Sequence, residues 1–399
     1  MIRETFEKNQ GIFRMIPVFV PRTFSRPGKR LRLHPDDYFA LGTARGAIKE
    51  RWFSSVVAAC NGELTAADEG MSYVSYGSDP DQRFLFKDAV EELGAQLIGE
   101  ELYSKYGTWP MYSKFFDYVD PLFHHLHPDN QAAAKVGRLG KPEAYYFPLQ
   151  YNNYGGSFPH TYFGFDPDTT KEDVKKRLEM FESGDNRITE ISRAHRIELG
   201  TGWYTPAGVV HAPGSYLTYE PQWNSDVNAV FENVTSGEIN SRASLVENCP
   251  DCEKDNVDSV MSMLEWEKNV DPHYRKHYFR PPIIDVENEQ YTEKWITYAT
   301  PFFSAKELII NPGQTAKITD KAAYGCIIMQ GHGRFGSYNA EAACMLRYGQ
   351  LSSDEYFVSE AAARNGVVIT NQSEFEPIVM LKHFGPNNPD APFPGHLRT

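Results

Sequence analysis

The segment Pro121-Leu-Phe-His-His-Leu-His-Pro-Asp129 sets two imidazoles, His125 and His127, two residues apart, and Gly140-Lys-Pro-Glu-Ala-Tyr-Tyr-Phe147 follows with the carboxylate of Glu143. Alternate side chains of a β-strand share a face, so His125 and His127 can reach one ion together. Neutral imidazole plus carboxylate suits Zn²⁺, and equally Fe²⁺ or Mn²⁺. A fourth donor arrives in Gly202-Trp-Tyr-Thr-Pro-Ala-Gly-Val-Val-His211, where a strand-like run, a Pro/Gly turn and a histidine stand in order. Two short histidine-bearing strands aimed at one interior describe a small β-barrel with a metal in its mouth. An His-x-His pair alone is a weak signal; it gains weight here because residue types and strand–turn context agree. His124 neighbours His125, points to the opposite strand face, and reads as structural.

The elements that must position these groups are mostly strands. Tyr145 to Phe165 alternates aromatic with small or polar residues, with a turn expected at Tyr151-Asn-Asn-Tyr-Gly-Gly156. His160 in this stretch has two readings, toward the barrel interior or toward solvent. Residues 195–235 return to strands and carry His211. Helices are expected as insertions. Lys87 to Lys105 carries Val90, Leu93 and Leu97 on one face and ends at Gly107. Thr169-Thr-Lys-Glu172 reads as a capping box opening a helix with Val174, Leu178 and Phe181. Asn256 to Asn269 reads as a connector helix. Cys249-Pro-Asp-Cys252 is a single Cys-x-x-Cys without a second pair, which is poor evidence for a metal.

Residues 271–292, with Pro272, Pro281 and Pro282, read as a linker between a metal-binding domain, 1–270, and a second barrel, 293–399. Beyond Trp295 short strands follow one another: Glu307–Asn311, Ala323–Met329, Met345–Tyr348, Glu355–Ser359, Val367–Thr370 and Ile378–His383. In this half His332 stands alone between glycines, so the second barrel is expected to be metal-free and structural. The fold class is mainly β with helical insertions, arranged as two jelly-roll β-barrels.

The 399 residues are 41% hydrophobic, enough for a large core, and the formal net charge of −13 disfavours nucleic acid or an anionic membrane as partner. No apolar run approaches the roughly 18 residues of a membrane span. Five cysteines in a chain of this length form no disulfide framework, and Met1-Ile-Arg-Glu-Thr-Phe-Glu-Lys8 lacks a signal-peptide core, so a cytoplasmic location is expected. Arg22, Arg26, Lys29, Arg30 and Arg32 form a basic cluster that reads as solvated or paired within the protein, given the acidic whole.

From about residue 45 to 240 the sequence resembles the type I phosphomannose isomerases, metal-dependent members of the cupin superfamily. Gly107-Thr-Trp-Pro-Met-Tyr-Ser-Lys114, five residues, and Pro121-Leu-Phe-His-His-Leu-His-Pro128 follow the family's first metal segment without a gap. His125 replaces the family's Gln and His127 keeps its His. Lys141 and Glu143 stand in the family's His-Lys-Pro-Glu block, and Pro206 to Ala212 matches the segment that supplies His211. The resemblance implies a metal held by His125, His127, Glu143 and His211, with Glu220 as proton carrier and Lys141 and Lys114 in the active cavity. Strand geometry also turns Lys141, two residues before Glu143, into that cavity. The family's catalytic Arg is replaced by Val230, and Arg242 and Arg280 are substitutes by position only.

The function so implied is a metal-dependent aldose–ketose isomerase that moves a proton between adjacent carbons of a hexose or hexose phosphate through a cis-enediolate. The expected cofactor is one divalent ion, zinc first, with iron, manganese or nickel as alternatives. The expected partner is a small sugar or sugar phosphate, and the oligomeric state stays open. The Gln-to-His change at 125 gives a three-imidazole, one-carboxylate set that also holds Fe²⁺, so a cupin oxygenase is the alternative, with a non-catalytic sugar-binding cupin as a third.

Overall fold

The computed structural model describes residues 1–154 and 156–399 and is built from antiparallel sheets with short helices between them. The turn expected at 151–156 includes Gly155, which lies outside the described residues. No helix among the described residues is long and apolar enough to cross a membrane.

Two sheets form the metal-bearing half. The seven-stranded sheet runs in the order Phe279–Arg280, Gly202–Thr205, Glu143–Tyr146, Thr218–Trp223, Met111–Phe116, Ala47–Phe53 and Val18–Arg22. Facing it is a five-stranded sheet ordered Ser192–Arg196, His160–Phe165, His211–Ala212, His125–Leu126 and Ala229–Val230. The second half has a nine-stranded sheet, in which Ser304–Ile310, Ile378–Phe384, Tyr324–Gln330 and Glu355–Val358 are central, and a four-stranded sheet from Thr315–Ile318 to Tyr338–Glu341. Five of the six expected strands of this half form within a few residues; Met345–Tyr348 does not, and Leu346 makes only an isolated bridge to Leu33.

The seven-stranded sheet is buried on both sides, and the two-residue period of its strands explains how. Glu50, Lys114 and Glu220 line a cavity on one side, while their neighbours Arg51, Phe115 and Tyr219 turn to the other. There Phe19, Ile48, Phe115, Tyr146 and Tyr219 share one apolar cluster with Ile296, Ala305, Ile327 and Leu381 of the nine-stranded sheet. Polar links cross the same seam: Arg51 to Asp354 at 2.8 Å twice and to Glu355 at 3.2 Å, Tyr146 Oη to Glu307 at 2.8 Å, and Tyr219 Oη to His383 Nδ1 at 2.9 Å.

Several local expectations are corrected. The helix expected over Lys87–Lys105 is three helices, Phe86–Leu93, Ala95–Ile98 and Glu100–Tyr106, because Gly94 and Gly99 take φ of 53° and 90° and turn the chain. The capping box sits one residue later than the pattern suggested: Thr170 accepts from Asp173 N, and Asp173 reaches back to Thr170 N, opening Lys171–Glu179. Asn256–Asn269 divides into Val257–Met261 and Trp266–Asn269.

Residues 271–292 are not a linker. They hold the helix Tyr274–Tyr278, the strand Phe279–Arg280 that extends the metal-bearing sheet, and Ile283–Glu287 at the edge of the nine-stranded sheet. The expected boundary fails at the N-terminus too. Ile12–Ile16 pairs with Glu355–Val358 and carries Tyr73–Ser75 on its other edge, so strands from the first hundred residues complete the second barrel's sheet. Prolines mark where a chain turns, but they do not say which distant edge it meets.

Two measurements check this packing. Arg51→Ala leaves Asp354 and Glu355 buried without their guanidinium, and unfolding in urea should show a loss of about 3–5 kcal/mol. His383 is fully buried, and burial lowers its pKa from 6.5 to about 3. The unfolded chain therefore takes up a proton that the folded one refuses: this contribution to stability is complete above pH 6.5 and is lost as pH falls toward 3. The stability of His383→Gln should accordingly fall less steeply than that of the parent over this range.

Candidate metal centre

The three histidines meet because of strand register. His211 is the Cα partner of His125 across one ladder, and His125 partners Val230 on its other side. The loop after His125 delivers His127. One ring nitrogen from each of His125, His127 and His211 lies within 4.8 Å of the others, and all three residues are buried. Glu143 comes from the facing sheet, where it opens Glu143–Tyr146 opposite Thr205 and Gln222. Its Oε2 is 3.0 Å from His127 Nε2 and its Oε1 is 3.0 Å from His211 Nε2.

Backbone carbonyls set the tautomers. Nδ1 of His125 lies 2.9 Å from Phe123 O, that of His127 2.6 Å from Val227 O, and that of His211 2.9 Å from Val209 O. A carbonyl only accepts, so each Nδ1 carries the proton and each Nε2 keeps a lone pair for the centre. Burial, then the close approach of the His211 and His127 rings, holds the His125 pKa well below 6.5; burial and Lys141 bring His127 to about 4. These two rings stay neutral through the physiological range.

His211 Nε2 and Glu143 Oε1 are buried, 3.0 Å apart, and neither makes a hydrogen bond. Two lone pairs at that distance are at odds unless a proton or a metal ion is shared between them. Four donors of nitrogen and oxygen type, fixed from behind and buried, fit one divalent transition ion.

Around the donors runs a chain of alternating charge. Lys141 Nζ is 2.9 Å from Glu143 Oε2, 3.1 Å from His127 Nε2 and 3.3 Å from Glu220 Oε1. Lys114, the Cα partner of Glu220 on the next strand, is 3.3 Å from Glu220 and 3.6 Å from Glu50. Arg22 then pairs with Glu50 at 3.0 Å and Asp226 at 3.2 Å. Lys141, Lys114 and Glu220 thus join His125, His127 and Glu143 in the lining of one cavity of about 790 Å³. Burial, with Glu143 adding to it, pushes Glu220 up to about 8 against the pull of Lys114 and Lys141. Burial also opposes charge on Glu143, yet the Lys141 ammonium beside it outweighs burial and holds that carboxyl well below the usual range.

Val230, the residue expected from the resemblance to replace the family's Arg, lines the cavity. Neither positional substitute reaches it. Arg280 is buried and donates to the carbonyls of His277, Tyr298 and Arg398, and Arg242 donates to that of Asp255. Arg45 lines the cavity, and so does Arg22, on the strand Val18–Arg22. In the sequence it is only one member of a basic cluster. That cluster is largely paired within the protein, with Arg26 on Asp120 and Arg30 on Asp117.

Other candidates fall outside the site. His124 turns away and bonds Glu232 Oε2 at 2.7 Å. His160 is half-buried beside Phe158 and does not line the cavity. Cys249 is buried while Cys252 is exposed.

No family model matches the chain, and no curated protein matches it in sequence. Solved structures match it in fold. The mannose 6-phosphate isomerase from Bacillus subtilis superposes with a TM-score of 0.63 at 18% identity, covering 94% of this chain and 99% of that one. A variant of the phosphomannose isomerase from Salmonella typhimurium gives 0.60 at 11% identity over 94% and 100%. A zinc-bound mannose 6-phosphate isomerase gives the same values. The fold is therefore the cupin-type fold of those enzymes, as the sequence resemblance implied.

The donor set has a direct check. His127→Ala removes one of the converging imidazoles and should cut bound metal, measured by elemental analysis after metal reconstitution, to a small fraction of the one ion per chain expected for the parent.

Proposed function

We propose that this protein is a metal-dependent aldose–ketose isomerase acting on a hexose or hexose phosphate, with His125, His127, Glu143 and His211 as ligands of one divalent ion, zinc first. A divalent ion there supplies Lewis-acid stabilisation of the negative charge that develops on the sugar's oxygens. The observation that carries the reading is Glu220: a buried carboxyl in the same cavity as the metal donors, between two lysines, with its pKa raised to about 8. A carboxyl tuned that close to neutrality can take a proton from one carbon and return it to the next. Lys141 and Lys114 hold Glu220 in place and offer ammonium donors to substrate hydroxyls. Tyr118 and Trp52 fix Glu50 at 2.9 Å and 2.8 Å, which in turn steadies Lys114. The isomerase folds found for this chain support the same reading. The unpaired state of all five cysteines fits the reducing setting of the cytoplasm.

Glu220→Gln preserves size and hydrogen bonding but removes the base. Solvent-proton exchange into hexoses and their phosphates in D₂O should fall by about 10²–10⁴, with metal content unchanged. The exchange should proceed equally with and without oxygen. An O₂-dependent activity, or a glutamine variant as fast as the parent, would transfer the site to the oxygenase reading or remove Glu220 from the mechanism.

A further inference from the structure

We infer that the sugar taken by this cavity is uncharged: a polyhydroxylated aldose or ketose without a phosphate group. This rests on the sugar-isomerase reading and narrows it.

The cavity is lined by four cationic side chains among the described residues, and each is already held by carboxylate. Arg22 spends its fork on Glu50 and Asp226, and its remaining direction on Asn61 Oδ1 at 2.8 Å. Arg45 makes two contacts to Glu69, at 2.8 and 2.6 Å. Lys114 lies between Glu50 and Glu220, and Lys141 between Glu143 and Glu220. Six carboxyl groups line the same space, against four cationic side chains that are all engaged with carboxylate. Two of the six, Glu238 and Glu247, have no cationic partner within 4 Å among the described residues. The nearby Arg242 is directed to the backbone carbonyl of Asp255 instead.

A phosphate is recognised by free donors of positive charge, above all a guanidinium fork. To obtain one here it would have to break a buried ion pair and strand a carboxylate, which is a heavy cost. Elsewhere in the cavity it would meet Glu238 and Glu247. A hydroxyl group carries no such cost. It both donates and accepts, so it can bridge a carboxylate to a neighbouring Asn or Ser, and Asn228, Asn240, Ser241 and Ser244 provide these along the wall. Phe24, Phe116 and Phe123 add apolar faces for the C–H side of a sugar.

The test uses the zinc-reconstituted full chain and two probes that cannot isomerise, D-sorbitol and D-sorbitol 6-phosphate, with binding read by calorimetry. Sorbitol is expected to bind at least about tenfold more tightly than its phosphate, because like charges left facing each other act against the wrong ligand. Glu247→Lys, at an exposed position on the cavity wall, should narrow that gap by strengthening binding of the phosphate. Equal or tighter binding of the phosphate, no binding of either probe, or a gap unchanged in Glu247→Lys would each overturn the inference. Failure of the isomerase reading looks different: sorbitol binds and its phosphate does not, yet neither D-mannose nor D-fructose exchanges a carbon-bound proton in D₂O.

Discussion

Seven charged side chains alternate in sign along one wall of the cavity: Asp226, Arg22, Glu50, Lys114, Glu220, Lys141 and Glu143, each within 3.6 Å of the next. Any one of them would be prohibitively costly to bury alone. Together they are tolerable, because each ion's lost hydration is offset by neighbours of the opposite sign. The chain depends on the seven-stranded sheet, whose register sets Lys114 directly opposite Glu220 and delivers Glu50 from the next strand. It ends at Glu143, where the histidines begin. The position of the carboxylate donor and the protonation of Glu220 are therefore properties of the whole row.

The same sheet explains why two barrels are needed. A sheet whose inner face carries so many charges gains little from the hydrophobic effect on that side. Its outer face compensates by packing Phe115, Tyr146 and Tyr219 against the nine-stranded sheet. The second barrel thus serves as the apolar support of a polar wall, and the buried Arg51–Asp354 pair fixes how the two are aligned. Behind the five-stranded sheet the inserted helices do the corresponding work: Val174, Leu178, Leu245 and Val260 pack on Leu126, Val210 and Ala229, and hold the histidine strands from the outside.

The candidate donors are legible in the sequence, because metal chemistry restricts residue type and a strand restricts spacing. His125 and His127 two residues apart, Glu143 after Lys-Pro, and His211 after a Pro/Gly turn are local patterns. The ring of carbonyls that fixes their tautomers is not legible there: Phe123 O and Val209 O bond through the backbone, which any residue type provides. Arg22 is equally hidden. Nothing in Pro21-Arg-Thr-Phe24 distinguishes a guanidinium in a cavity wall from one on a solvated face, and its partners lie 28 and 204 residues away.

Residue type at short range was enough to indicate a mainly β fold and the four candidate donors, and the family resemblance added the roles open to Lys114, Lys141 and Glu220. Long-range packing had to choose the rest. It placed Ile12–Ile16 in the far barrel, turned Arg280 to backbone carbonyls and Arg22 to the cavity, and matched every lining cation with carboxylate. Charge compensation and strand pairing are agreements between segments far apart in the chain. Each segment is compatible with many partners, and burial in one common core selects among them.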